Sequence, residues 1–239
     1  MFVLALKSMV NRKLTTALTV VSIALSVTLL LGVERIRTEA RNSFSNTISG
    51  TDLIVGARSG PVQLLLYSVF RIGNATNNIG WQSYQAIARH PQVKWTIPIA
   101  LGDSHQGYRV MGTNSDYFEH YRFAGGRALE LAGGRRFEGV FDAVLGSEVA
   151  RALGYAIGDP IIIAHGAGKV SFITHDDKPF AVVGILKPTG TPVDQTVHVR
   201  LEGYEAIHID WQDGAPVPGR SISAERVAEM DLTPRAITA

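Results

Sequence analysis

The chain has no cysteine among its 239 residues. That excludes a disulfide framework and any thiolate-ligated metal, and it fits a bacterial envelope domain that folds without oxidative help. A strong charge of either sign is also missing. The formal net charge is +2, and setting aside Lys7, Arg12 and Lys13 near the N-terminus brings the remainder to about −1. No basic surface is available for nucleic acid, so nucleic-acid binding is excluded as a class. Charge is absent altogether from Leu14 to Val33, twenty consecutive residues closed by Glu34-Arg35.

At about 1.5 Å per residue, a helix over that run spans roughly 30 Å, the thickness of a bilayer's hydrocarbon core. The expectation is a membrane anchor in the lipid bilayer. Cations ahead of the run place the N-terminus in the cytoplasm and the bulk of the chain outside it, at a bacterial inner membrane. A cleaved signal peptide is the alternative, but the run exceeds the usual apolar region. Leu31-Gly32-Val33-Glu34 also lacks a small-x-small cleavage pattern.

Within the span Thr15, Thr19, Ser22 and Ser26 fall on one helical face. Such a stripe can pack against another membrane helix, or its hydroxyls can satisfy their own backbone carbonyls. Beyond the span Ile36, Ala40, Phe44 and Ile48 recur every four residues up to Gly50. This pattern extends the helix as a stalk, or as an amphipathic helix lying on the domain.

The remaining sequence reads as α+β. Asp52–Gly56 is expected as a short buried strand, Val62–Phe70 and Trp81–Arg89 as helices, and Gly73–Gly80 as a loop. Val93–Leu101 is expected as a strand, interrupted by Pro98. Ser147 is expected to cap a helix from Glu148 to Leu153 that stops at Gly154. Strands are expected at Ile161–Ala164, Val170–Thr174, Phe180–Leu186, Thr196–Leu201 and Ala206–Asp210, with Pro188–Pro192 as a rigid connection. Gly214–Gly219 reads as a linker, and Ser223 as the cap of a helix from Ala224 to about Met230.

Chemistry-bearing motifs are scarce. In Gly166-Ala167-Gly168-Lys169 the first glycine of a phosphate loop is replaced by Ile163, and Val170 stands where a hydroxyl is needed. It reads as a hairpin turn. No nucleophile elbow or H-E-x-x-H helix exists, so no catalytic, cofactor or metal residue is assigned. His165, His175, Asp176 and Asp177 lie at two ends of the expected hairpin. A weak metal site is conceivable there, and solvated polar residues beside a turn account for them as well. His198 and His208 fit strand patterns as sheet histidines. Leu64-Leu65-Leu66 with Tyr67 and Phe70 suits a core helix better than a groove for lipid chains.

Leu4–Val27, with its short basic amphipathic segment leading into the span, resembles the opening of FtsX/MacB-type ABC transporter permeases. Gly112–Phe118, Ala143–Asp159 and Phe180–Asp194 are similar, in order, to segments of their periplasmic core domain. The resemblance implies one membrane helix with a stalk, then a porter-like α+β subdomain carrying an inserted strand-rich subdomain. The corresponding division is 1–33 for the basic segment and membrane helix, and 34–119 for the stalk and first porter-like part. The insert would be 120–190, the return to the porter-like part 191–213, and a linker and helix 214–239.

The family normally carries three further membrane helices after this core. The sequence ends at Ala239, so the expectation is a fragment, or helices supplied elsewhere. The implied activity is mechanotransmission, for export or for handling lipoprotein and envelope substrates. The implied partners are a cytoplasmic ABC ATPase, a second permease copy or homologue, and a periplasmic or lipoprotein partner. Coupling would involve Lys7, Arg12 and Lys13 at the cytoplasmic face, the Thr15/Thr19/Ser22/Ser26 stripe, and Ile36, Ala40 and Phe44 on the stalk. The alternative function is a single-pass anchored binding or scaffold protein, with an anchored hydrolase third.

Overall fold

The computed structural model describes residues 11–75, 77–166, 175–212, 215–217 and 222–239, without the side chains of residues 40, 41, 43–45, 212, 215 and 216. The expected strand Val170–Thr174 therefore lies outside the described residues, as do most of the expected hairpin turn and Lys7. The chain divides into two compact units, Met1–Phe44 and Ser45–Ala239.

Helix α1 runs from Lys13 to Thr47 without a break. No proline interrupts it, and at 1.5 Å per residue its 35 residues extend about 52 Å. Its stretch Lys13–Glu39 is long and apolar enough to cross a membrane, and none of the most apolar window is buried.

The second unit begins with an irregular segment through Gly60. Asp52–Gly56, expected as a buried strand, is not one; it pairs with no strand among the described residues, and Leu53 is exposed. A short apolar run fixes neither burial nor a strand partner. Pro61 then opens helix α2, Pro61–Ser68, at the position where its missing N–H costs nothing. Strand β1, Ile79–Gly80, leads into α3, Trp81–Ala88, where Trp81 and Tyr84 stack with centroids 4.7 Å apart.

Of the expected strand Val93–Leu101, only the end is realised. Strand β2 is Ala100–His105, two residues past Pro98, whose missing donor unsuits it to a ladder. A two-residue turn joins β2 to β3, Tyr108–Thr113, with Gln106 at φ 47° and Gly107 at φ 87°. Both positive angles match the turn twist that tight hairpins require. Next come α4, Asp116–His120, the small pair β4, Arg122–Phe123, and β5, Arg127–Ala128, then β6, Leu131–Gly134, and β7, Asp142–Leu145.

Helix α5 is Ser147–Leu153, with Gly154 in the left-handed conformation at its end. Its N-cap is Gly146, not Ser147. A Cβ at Gly146 would stand 2.3 Å from the Val193 carbonyl oxygen, so packing against the following segment reserves this position for glycine. Strand β8 is only Pro160–Ile161, shorter than the expected Ile161–Ala164, although Ala164 still bridges to Ser104. Strand β9 is Phe180–Leu186, and a 3-10 turn, Pro192–Gln195, precedes β10, Thr196–Arg200.

The expected strand Ala206–Asp210 is absent: α6, Leu201–Ala206, is followed by turn residues. Gly203, Ala206 and Ile207 are buried at helical spacing, a period that a five-residue window does not separate from strand alternation. Strands β11, Trp211–Gln212, and β12, Ala215–Pro216, pair with each other. Helix α7, Ala224–Ala228, begins after Ser223 as expected, and β13, Ala236–Ile237, pairs with β1.

The main sheet has seven strands in the order β2-β3-β10-β7-β9-β6, with β8 also on β9. β3 and β10 are parallel, as are β7 and β9, while the other pairs are antiparallel. Strands from 100–113, from 131–186 and from 196–200 thus share one sheet. Both faces are covered. Val110, Ala143, Leu145, Val197 and Val199 belong to one core cluster, whereas Met111 and Val144 belong to another with Tyr117 and Phe118. Neighbouring residues alternate between clusters, which explains why Ala143-Val144-Leu145 reads as a continuous apolar run.

Candidate functional site

Of the residues expected to couple membrane and domain, Arg12 and Lys13 are exposed at the start of α1. The hydroxyl stripe is present on the helix. Thr19 Oγ1 donates to the Thr15 carbonyl at 2.9 Å, and Ser26 Oγ donates to the Ser22 carbonyl at 2.9 Å. These two hydroxyls bond within their own helix, and a stripe of small residues bonded this way can still pack against a second helix. Ile36 is exposed, and the side chains of Ala40 and Phe44 fall outside the described residues.

The end of α1 is held by a segment the sequence did not single out. The last carbonyls of a helix have no partner within it. Here the Asn46 carbonyl accepts from Ala124 N–H at 2.8 Å, and the Thr47 carbonyl accepts from the buried Tyr121 hydroxyl. Ser49 N–H donates to the Arg122 carbonyl at 2.9 Å. A left-handed run over Ala124, Gly125 and Gly126 shapes this cap.

An apolar cavity of about 360 Å³ is bounded by Leu53, Val69, Trp95, Ile97 and Tyr121, with the buried Arg71 among its lining. Nε and Nη1 of Arg71 have no hydrogen-bond partner among the described residues. Burial, together with the charge of Arg71, pushes His198 down to about 3, against a smaller opposing effect of the Val144 carbonyl. His198 is therefore neutral, and its Nδ1 faces the Val144 carbonyl at 3.1 Å. The sheet-histidine expectation holds for His198.

It does not hold for His208, which lies in the turn after α6. The sequence grouped His165 and His175 with Asp176 and Asp177; the fold gathers His165, His175 and His208 instead. A ligand atom from each of these three lies within 4.8 Å of the others. Asp103 on β2 completes the cluster and is 1% exposed. Its Oδ1 is 3.2 Å from His165 Nδ1, and its Oδ2 is 3.4 Å from His208 Nε2. His208 Nε2 is in turn 3.4 Å from His165 Nδ1.

Backbone pairing explains the juxtaposition. Ser104 and Ala164 exchange both backbone hydrogen bonds, at 3.0 and 2.8 Å, which sets Asp103 and His165 beside each other. His175 N–H donates to the Ile163 carbonyl at 2.9 Å, returning the chain to the same place. His208 Nδ1 lies 2.9 Å from the Tyr204 carbonyl, one turn back, so Nδ1 donates there and Nε2 is turned to the cluster. Trp211 covers the group, with its ring 4.5 Å from that of His175.

The electrostatics divide the histidines. Hydrogen bonding to Asp103 raises the His165 pKa, against burial. Burial, then the neighbouring His208, pushes His175 down to about 4, so its imidazole is neutral at physiological pH. Asp103 and His208 carried no signal in the sequence, because four positions spread over a hundred residues meet only through the sheet.

The MacB-like periplasmic core domain family matches residues 16–228. A solved structure, the periplasmic region of MacB from Actinobacillus actinomycetemcomitans, is 12% identical with a TM-score of 0.37. The match covers 61% of this chain and 62% of that one. No curated protein sequence matches the chain. With the family match running from within α1 to the end of α7, the chain belongs to the MacB-like periplasmic core domain family, and with it to the FtsX/MacB-type permeases.

Proposed function

We propose that the chain is the membrane component of an ABC transporter, transmitting the motion of a separate ATPase to its periplasmic domain. The observation that carries this reading is the family match over residues 16–228, which takes in the apolar helix as well as the folded unit. The unbroken course of α1 from Lys13 to Thr47 supports it further.

In this reading the N-terminus is cytoplasmic and the unit Ser45–Ala239 periplasmic. Nucleotide chemistry belongs to the partner ATPase, and a second permease copy or homologue completes the membrane part. The work done is export, or the handling of lipoprotein and envelope substrates. Arg12 and Lys13 act at the cytoplasmic face, and Ile36, Ala40 and Phe44 along the stalk.

A mild-detergent pull-down of the gene product from its native membrane, followed by mass spectrometry, tests this. Co-recovery of an ABC ATPase is the expected result. Recovery of intact, stable chain without an ATPase contradicts the transporter reading and leaves an anchored periplasmic binding or scaffold protein.

A further inference from the structure

We propose that Asp103, His165, His175 and His208 form a binding site for a divalent transition-metal ion of the zinc class. This goes beyond the transporter reading and stands without it.

The first argument is metric. In a tetrahedral zinc site, nitrogen and oxygen ligands lie about 2.0–2.1 Å from the metal, which sets the ligand-to-ligand edges at about 3.3–3.4 Å. The contacts His165 Nδ1 to Asp103 Oδ1, His208 Nε2 to Asp103 Oδ2, and His208 Nε2 to His165 Nδ1 are 3.2, 3.4 and 3.4 Å. Each pair among His165, His208 and Asp103 thus approaches a tetrahedral edge length, the two histidines meeting different oxygens of Asp103, so an ion held by one of these oxygens would shift the carboxylate. The ligand atoms of His165, His175 and His208 lie within 4.8 Å of one another, so a bound ion would draw His175 inward as the further ligand.

The second argument is chemical. His208 turns Nδ1 to the Tyr204 carbonyl and Nε2 to the cluster, the orientation in which a backbone acceptor fixes the tautomer of a metal ligand. His175 is fully buried, yet neither ring nitrogen has a hydrogen-bond partner among the described residues. A buried polar group left that way keeps its full desolvation cost. A simple His–Asp–His hydrogen-bonded array would leave that cost in place, whereas a metal ion removes it at one of the two nitrogens. The ion would also neutralise the buried Asp103 carboxylate. Three imidazoles and one carboxylate suit Zn²⁺, Co²⁺ or Ni²⁺ and not the oxygen-seeking Mg²⁺ or Ca²⁺. His165, 41% exposed in its side chain, gives the ion a way in from solvent.

A bound ion would tie together β2, the residues flanking 165 and 175, and the turn after α6. Binding should therefore raise thermal stability by mass action. A second acidic group, Asp116, Glu119 and His120, sits on the five-residue helix α4 and serves as a built-in control.

The test uses the full chain in detergent, without a polyhistidine tag, stripped with EDTA. ZnCl₂ is titrated by calorimetry while tryptophan emission, to which Trp211 beside His175 contributes, is followed, and CoCl₂ is added to parallel samples. The expected results are one equivalent of Zn²⁺ bound, a change in tryptophan emission, a raised melting temperature, and the visible bands of four-coordinate Co²⁺. His165→Ala and His208→Gln should each weaken Zn²⁺ binding by about tenfold or more. His120→Ala should leave it unchanged. His165 is partly exposed, so its variant stays informative if His208→Gln fails to fold. Absence of stoichiometric binding by the parent chain, or binding unaltered by His165→Ala, overturns the proposal.

Discussion

The apolar helix α1 and the main sheet are both hydrophobic, but among the described residues only the sheet is packed on both faces. On α1 the side chains of Leu14, Leu18, Leu25, Leu29 and Leu30 are each more than 60% exposed. In the sheet Val110, Ala143, Val144, Leu145, Val197 and Val199 are all at 0%. Under the proposed function, equal hydrophobicity serves two different solvents. The helix satisfies its backbone alone and leaves its surface for lipid or for other helices. The sheet satisfies its backbone between strands and consumes both faces in packing. Substitutions in the two regions should fail in different assays.

The largest effect is expected in the sheet. Leu145→Ala should cost about 2–5 kcal/mol of domain stability, the range for emptying a packed aliphatic site, and leave membrane integration intact. Urea unfolding monitored by tryptophan emission, alongside carbonate extraction of membranes, checks both halves. Leu25→Arg should do the converse. A cation at mid-span costs about 2.5–3.5 kcal/mol of insertion free energy, so the extractable fraction should rise while the unfolding midpoint stays put.

The next effect is a pH dependence confined to the domain. His198 is held down to about 3 in the fold, whereas an unfolded histidine protonates near 6.5. Between these values the unfolded chain binds a proton that the folded chain does not, so stability falls as pH falls through that window. From pH 7 to pH 5 the loss from this residue should be about 2 kcal/mol. His198→Gln should flatten the slope by about one proton, as read from unfolding midpoints at several pH values. An unchanged slope would show that His198 titrates alike in both states.

The smallest effect belongs to the stripe. Because Thr19 and Ser26 bond within their own helix, Thr19→Ala and Ser26→Ala should change helix stability by less than about 0.5 kcal/mol. Recovery of partner membrane proteins in mild detergent should also be unchanged. A loss of partner recovery in either variant would favour an interhelical role for the stripe.

What was legible in the sequence follows the same contrast. The membrane run, β9 and α5 were readable because each is decided locally, by a length without charge, by an apolar run, or by a glycine stop. The strands expected at 52–56 and 206–210 were not, because short apolar patterns are compatible with any buried conformation. The cap of α5 moved from Ser147 to Gly146 because Val193 and Asp194, nearly fifty residues away, leave no room for a Cβ. The histidine cluster was half visible: His165 and His175 are near in sequence, but Asp103 and His208 join them only through the Ser104–Ala164 bridge and the turn after α6.

Under the proposed function, motion driven by nucleotide reaches the unit Ser45–Ala239. The absence of cysteine makes one engineered thiol a unique label, and Glu229 just beyond α7 is exposed. Spin–spin distances between Glu229→Cys labels on two permease copies, measured in the assembled complex with and without trapped ATP, test it directly. The account expects the distance distribution to shift when ATP is trapped. An identical distribution in both states, from complexes shown to bind nucleotide, would contradict it.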